Sequence, residues 1–206
     1  MSVEGWLVFA AFWMLFVTTP GPNAVNCISN GMTHGFRRSL WGVAAILTQA
    51  TLFLFLSAAG VTAVIAASET LFLAMKAVGA AFLIGLGIRG WITAKRPVPA
   101  RPASGRSIYG RAFLIATINA KSIAGYLAAF SQFVQPDVPI WTQMTVIVPT
   151  ALTITALSYT SYTAIGAWVG RQAMAAVLNV WFRRVMAACF IVYGALLGAS
   201  GIQGRV

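Results

Sequence analysis

Long apolar runs separated by short polar connections make up most of the chain. Six of these runs are long enough to cross a hydrocarbon core, which takes about 20 helical residues. They cover residues 5–32, 39–67, 70–92, 111–134, 140–169 and 182–201. The pattern predicts an all-α, polytopic membrane protein with six transmembrane helices, in which residues 1–206 form a single transmembrane domain.

The first run is interrupted by Thr19-Pro-Gly-Pro-Asn23. Pro20 and Pro22 have no N–H group, so the carbonyls of Phe16 and Thr18 lose their usual helical donors. At membrane depth, such backbone is tolerated where it is buried in protein or lines a wet cavity, and half-helix ends there bind the charged parts of substrates. The interruption therefore predicts a broken helix with a binding site, and a simple proline kink is the alternative.

Two neighbours of Pro22 complete this interruption. Gly21 is pushed out of the α region because a proline follows it. Asn23 is a candidate N-cap for the second half of the helix.

Composition agrees with a membrane protein and argues against other classes. The chain is 59% hydrophobic and 8% charged, whereas soluble domains are about 25% charged. Its 14 basic and 3 acidic residues lie between the apolar runs rather than along one amphipathic face, so no nucleic-acid partner is expected. Cys27 and Cys189 have no neighbouring cysteine or histidine cluster, so no metal or cofactor is expected either.

The charges also predict an orientation. Most basic residues follow the first, third and fifth runs, whereas Glu4, Glu69 and Asp137 lie at the opposite ends. By the positive-inside rule, the basic connections are cytoplasmic and both termini face outward. Glu4 and the lack of a basic leader predict that the first run is not a cleaved signal peptide.

The two halves of the chain resemble each other weakly. Lys76–Ile84 aligns without gaps with Arg184–Val192. With three runs in each half, repeats of about 1–94 and 110–206 would be inverted, as in many secondary transporters, and joined by a basic cytoplasmic loop at 95–109. The counterpart of the first interruption would then be Thr117–Lys121. A bias towards small residues could also produce the alignment.

Lys121 is the most informative polar residue. A lysine near a helix centre costs about 2.5–3.5 kcal/mol on insertion scales and generally faces a cavity or a partner. Snorkelling to the membrane surface is the alternative for Lys121, and it explains Lys76 as well as a function does. Because no acidic residue lies deep in a run, a cavity beside Lys121 should prefer a carboxylate. Gln49 and Tyr159 are polar at mid-depth, and they either bond neighbouring helices or line the cavity.

Several motifs together resemble one family. Thr19-Pro-Gly-Pro-Asn23, Gly35-Phe-Arg-Arg38, the glycine-rich stretch Lys76–Arg89 and Asn119-Ala-Lys121 are similar to the lysine and homoserine/threonine exporters (LysE/RhtB). The resemblance implies a bacterial inner-membrane exporter of amino acids, driven by proton exchange, with its binding region near the two interruptions. Asn119-Ala-Lys121 departs from the family's Asn-Pro-Lys. Leu47-Thr-Gln49 lacks the acidic residue of many members, which favours neutral over basic substrates.

These arguments predict a set of site residues. The carbonyls of Phe16 and Thr18 would bind the substrate ammonium, and Lys121 with the amides after Pro22 would bind its carboxylate. Lys121 and Lys76 are the predicted proton-coupling residues. The predicted substrate-binding residues are Phe16, Thr18, Thr19, Pro20, Gly21, Pro22, Asn23, Gln49, Asn119, Lys121 and Tyr159.

The expected partners are an amino acid, membrane lipid and, optionally, a second copy of the chain. A channel or flippase-like protein without amino-acid specificity is the alternative function. An enzyme or thiol carrier would need paired cysteines or a clustered acid and base. The sequence contains neither.

Overall fold

A computed structural model of the protein describes residues 2–67, 69–96, 108–169 and 179–203, and nearly all of these are helical. The described helices are α1 (Val3–Thr18), α2 (Pro22–Ala67), α3 (Glu69–Ile92), α4 (Ile108–Thr117), α5 (Ala120–Phe133), α6 (Ile140–Val169) and α7 (Val180–Gln203). The predicted all-α class is therefore confirmed for this part of the chain.

The predicted apolar runs correspond closely to these helices. Two runs are each divided between two helices, because α1 with the start of α2 covers the first run and α4 with α5 covers the fourth. In α2 and α6, the apolar stretches Pro22–Gly60 and Ile140–Val169 are each long enough to cross a membrane without a partner helix. The short helices α1 and α4 are apolar, but each is too short to cross alone.

A sharp reversal at Gly35 divides α2 into two antiparallel arms. Gly35 has φ 72° and ψ 170°, a left-handed conformation that glycine adopts without a Cβ penalty. Beyond the reversal, the side-chain nitrogen of Asn30 lies 3.2 Å from where a Cβ of Gly42 would stand. A straight helix would hold these two residues about 18 Å apart. The second arm therefore folds back along the first, as two predicted runs joined by a short connection require.

Aromatic side chains from α1 and α5 form the centre of the core. Phe9, Phe12 and Trp13 are almost completely buried. The ring of Trp13 lies 5.2 Å from that of Tyr126, and the ring of Phe9 lies 5.5 Å from that of Phe133, both edge-on. Edge-to-face pairs at these separations are favourable. This packing holds the end of α1 against α5.

Two helix pairs touch backbone to backbone at glycines. Where α2 packs on α6, a Cβ on Gly166 would collide with the backbone of Ile28, and a Cβ on Gly31 would collide with the carbonyl of Thr163. Such close approaches through small residues are typical of membrane helix packing.

The pair α3 and α7 repeats this arrangement. A Cβ on Gly87 would lie 2.6 Å from the carbonyl oxygen of Ala187, and one on Gly194 would lie 2.9 Å from that of Ala80. We refer to these two contacts as the α2–α6 seam and the α3–α7 seam.

Some sequence predictions lie outside the described residues. These are residues 97–107 of the predicted basic loop, and the basic residues Arg171 and Arg205. The orientation of the termini and the inverted relation of the halves remain predictions.

Candidate functional site

The first interruption is a break between two helices. α1 ends at Thr18, and α2 begins at Pro22. The N–H and the hydroxyl of Thr19 both donate to the carbonyl of Leu15, at 3.0 and 2.6 Å. Threonine thus closes the last turn of α1 where the prolines supply no donor. The predicted break is confirmed.

The predicted N-cap at this break is wrong by position. α2 begins at Pro22, and its first backbone bond runs from Val25 N–H to the carbonyl of Gly21. Proline is favoured at the first helical position because its φ is already helical and its missing N–H has no partner to lose there. Asn23 therefore lies inside the first turn, where its side chain is buried.

The second interruption forms without a proline. α4 ends at Thr117, and α5 begins at Ala120. Asn119 has extended backbone angles, and its side-chain oxygen accepts from the N–H of Lys121 at 3.1 Å. This is an asparagine N-cap, which satisfies one of the free donors at the start of a helix. The fourth predicted run is therefore broken by capping at the position corresponding to the first break.

A side chain from the second break reaches the first. The ammonium of Lys121 donates to the carbonyl oxygen of Thr19 at 2.7 Å. It also lies 5.2 Å from the ring centre of Phe16, within range of a cation–π attraction. The Cδ of Lys121 would lie 3.6 Å from a Cβ at Gly21, so the lysine stem runs alongside the break.

The neighbouring carbonyl is also occupied. The Tyr162 hydroxyl on α6 donates to the carbonyl oxygen of Thr18 at 2.6 Å. The sequence argument anticipated that Thr18 would lose its helical donor. In this structure a tyrosine replaces that donor, as backbone groups freed in membrane helices require.

A small cavity lies where the two breaks meet. It has a volume of about 10 Å³, which is room for about one water molecule. An amino acid does not fit, so this is a closed form of the cavity. Its lining residues are Phe16, Thr19, Gly21, Asn23, Ala24, Asn119, Lys121, Ser122 and Tyr159.

Most predicted binding residues therefore share one location. Pro20 and Pro22 shape the break without lining the cavity, and Thr18 contributes its carbonyl to Tyr162. Gln49 is buried on α2, outside the lining set. The side chain of Lys76 lies outside the described part of the structure.

Three buried amide groups near the start of α2 and on its second arm have unsatisfied atoms. Within the described residues, Oδ1 of Asn23, Nδ2 of Asn26 and Nε2 of Gln49 have no hydrogen-bond partner. Leaving a buried polar atom unpaired costs about 1–3 kcal/mol. Asn23 hydrogen-bonds Tyr159 and lines the cavity, so its Oδ1 is an acceptor available at the site.

Sequence reasoning missed part of this lining. Ala24 and Ser122 were not predicted, although Ser122 follows Lys121 directly in α5. Tyr162 was recognisable only as one of several polar residues at helical spacing on α6. A single sequence offers no signal that distinguishes a tyrosine facing the break from one bonding another helix.

Other mid-depth polar residues bond neighbouring helices. Thr155 accepts from the indole N–H of Trp13 at 3.0 Å. The hydroxyl of Tyr109 donates to that of Thr48 at 2.9 Å. These residues stabilise helix packing, which is the common role of hydroxyls in membrane helices.

Potential metal ligands are scarce. In the described ranges, no three His, Cys, Asp or Glu side chains are grouped together. Cys27 and Cys189 are both free thiols.

Comparisons with known proteins agree on one family. The family description "LysE type translocator" matches residues 14–201. An uncharacterised membrane protein of Vibrio cholerae is 31% identical over 97% of this chain and 99% of its own length. No solved structure matches.

Two further relatives have functional names. A homoserine/homoserine lactone efflux protein of Salmonella typhimurium is 27% identical over 97% of this chain and 98% of its own length. A leucine efflux protein of an Enterobacter species is 27% identical over 80% of this chain and 79% of its own.

Proposed function

This chain belongs to the LysE type translocator family and is thus a membrane transporter rather than an enzyme, and we propose that it exports amino acids or close derivatives. The observation that carries the proposal is the Lys121–Thr19 contact, which joins two helix breaks around one polar cavity. Paired interruptions near the bilayer midplane are where secondary transporters bind substrate. Relatives named for efflux of homoserine and leucine support the same substrate class.

The substrate ammonium would bind at the Thr19 carbonyl. In the closed form, the ammonium of Lys121 already occupies that acceptor, while Tyr162 occupies the carbonyl of Thr18. A substrate amine offers the same chemistry as the lysine and could take its place. The unpaired Oδ1 of Asn23 lies in the same lining and is a second acceptor for it.

The displaced Lys121 would then bind the substrate carboxylate. The N-terminus of α5 lies next to it, where free N–H groups and the helix dipole favour an anion. The N-terminus of α2, after Pro22, offers a second set of amides. Phe16, Gly21, Asn119 and Tyr159 would complete the enclosure. Gln49 would reach the substrate only in a wider form of the cavity.

Neutral amino acids fit this site better than basic ones. The chain has only 3 acidic residues, Glu4, Glu69 and Asp137, all near the ends of helices. A cationic substrate side chain would therefore meet Lys121 without a compensating carboxylate. The relatives named for homoserine and leucine efflux are consistent with this preference.

Proton exchange is the proposed driving force. Burial disfavours the charged form of an amine, so Lys121 can bind a proton beside a substrate carboxylate and release it when the carboxylate leaves. Lys76 is the second candidate, on sequence grounds alone.

The proposed setting is the bacterial inner membrane. The basic connections would face the cytoplasm and both termini the outside. Residues 1–206 would form one domain of two inverted three-span repeats. The corresponding positions of the two breaks support that symmetry.

Counterflow of labelled amino acids in proteoliposomes tests the proposed function. An exporter loaded with unlabelled leucine or homoserine should transiently accumulate the labelled form. A channel or flippase-like protein would equilibrate the label without this overshoot, and that result would reject the proposal.

A further inference from the structure

A second site lies at the membrane face where α3 ends and α7 begins. There a groove of about 590 Å³ opens on the protein surface. Its lining is almost entirely apolar, and Arg184 is its single charged residue. The groove is lined by Leu15, Trp91, Trp181, Arg184, Val185, Ala188, Cys189 and Val192.

Arg184 is held at one end of this groove by two tryptophans. Its guanidinium carbon lies 5.2 Å from the ring centre of Trp91 and 5.5 Å from that of Trp181. These cation–π contacts orient the side chain. Its buried Nε has no hydrogen-bond partner in the described structure. A desolvated guanidinium donor without an acceptor indicates that an anion belongs beside it.

Arg183 brings further positive charge to the same place. Its guanidinium donates to the carbonyls of Thr93, Ala94 and Arg96, at 3.0, 2.6 and 2.7 Å. These bonds satisfy the free carbonyls at the end of α3 and hold that end against the start of α7. Arg96 and its exposed neighbour Lys95 thereby lie close to Arg184.

The groove continues from these charges towards the bilayer interior. Along α7, Val192 lies about 12 Å of helix rise from Arg184, and Leu15 of α1 forms part of the opposite wall. Tryptophans at the headgroup level with an apolar channel behind them match the two ends of a phospholipid. A soluble anion would leave the apolar part uncovered.

We infer that this groove binds one anionic phospholipid, with its phosphate at Arg184 and an acyl chain along Ala188 and Val192. Clustered basic residues at one face of a membrane protein are typical of sites for anionic headgroups. The site is separate from the transport cavity, and it does not depend on the proposed substrate.

Lipid titration of the purified full-length protein tests this inference. Binding of phosphatidylglycerol and of phosphatidylcholine would be compared by native mass spectrometry. Wild type should prefer phosphatidylglycerol, and Arg184→Gln should weaken its binding by about fivefold, since one basic residue near an anionic surface contributes about 1 kcal/mol. Arg89→Gln removes an exposed charge of α3 outside the groove and should have no effect. Equal affinity for the two lipids in wild type would overturn the inference.

Filling the groove separates the remaining explanations. Ala188→Leu should reduce phosphatidylglycerol binding while keeping all charges. If glycerol 3-phosphate competes as well as the intact lipid, the site is one for a soluble phosphate and the lipid assignment is wrong. If the protein is instead a dimer that Ala188→Leu dissociates, the groove is an interface between two copies, and the assignment is again wrong.

Discussion

The side chain of Lys121 donates a 2.7 Å hydrogen bond to the backbone carbonyl of Thr19, across 102 residues of sequence. This bond joins the start of α5 to the end of α1. It also places an ammonium where a substrate ammonium would bind. Substrate entry must therefore break the bond, which links occupancy of the cavity to the separation of the two interrupted helices.

Replacing Lys121 tests its two proposed roles. Lys121→Met should remain in the membrane, because it removes a costly buried charge, but should lose binding of amino acids through their carboxylate. Lys121→Arg should bind and yet lose pH-dependent export, since guanidinium is effectively always protonated. Binding and export would be measured in proteoliposomes between pH 6 and pH 9. Unchanged pH dependence in a stable Lys121→Met protein would place the coupling group elsewhere, with Lys76 examined next.

Restoring the missing donors tests the break in the first span. In Pro20→Ala with Pro22→Ala, the N–H groups of both alanines can bond to the carbonyls of Phe16 and Thr18, so the helix can straighten. We expect folding to survive and counterflow to fall at least tenfold. Pro149→Ala on α6 is the matched control, since that proline is exposed and remote from the cavity lining. Normal counterflow in the double variant would show that the break only packs the helix.

Removing one hydroxyl tests the Thr18 carbonyl. Tyr162→Phe leaves that acceptor without its 2.6 Å bond and should lower the free energy of unfolding by about 0.5–1.5 kcal/mol. It should also alter substrate affinity, because a second carbonyl at the break becomes available. Tyr109→Phe removes a hydroxyl bond between α4 and α2 away from the cavity, so it should change stability without changing affinity. Denaturation in detergent and substrate titration would distinguish the two effects.

The α2–α6 seam should tolerate no added methyl group. Gly166→Ala would place a Cβ against the backbone of Ile28, and we expect a loss of about 1–3 kcal/mol in the free energy of unfolding. Gly85→Ala is the control, because nothing lies within 4 Å of its Cβ position. Alanine there should be neutral or stabilise α3 by up to about 1 kcal/mol. Equal thermal shifts for the two variants would argue against a tight seam.

Cysteine labelling tests the orientation in the membrane. In a background without Cys27 and Cys189, Asp137→Cys should react with an impermeant thiol reagent in intact cells. Arg37→Cys, which is also exposed, should react only after the cells are opened. The reverse pattern would invert the protein and the direction assigned to transport.

The two breaks were accessible from the sequence to different degrees. Pro20 and Pro22 remove two N–H groups, so the first break follows from local chemistry that no packing can override. The second break depends on the side chain of Asn119 capping α5, and asparagine occurs in many other contexts. Its position became predictable only through the weak repeat between the halves of the chain.

The partners of the freed backbone groups could not be predicted. Whether Lys121 reaches Thr19 or Thr18 depends on the angle between α1 and α5, which the ring contacts of Trp13 and Tyr126 determine. Tyr162 reaches Thr18 because α6 packs beside α1. The predicted N-cap at Asn23 failed because two local rules compete there, and proline at the first helical position prevailed.

The glycine seams also suggest which parts of the molecule move. Backbones in direct contact have no layer of side chains that can slide or repack, so α2 with α6 and α3 with α7 should each behave as a stiff lever. The compliance is then concentrated at the unwound segments before Pro22 and before Ala120, which act as hinges. Spin-label distances across either seam should stay constant when substrate is added. Those between α1 and α5 should lengthen.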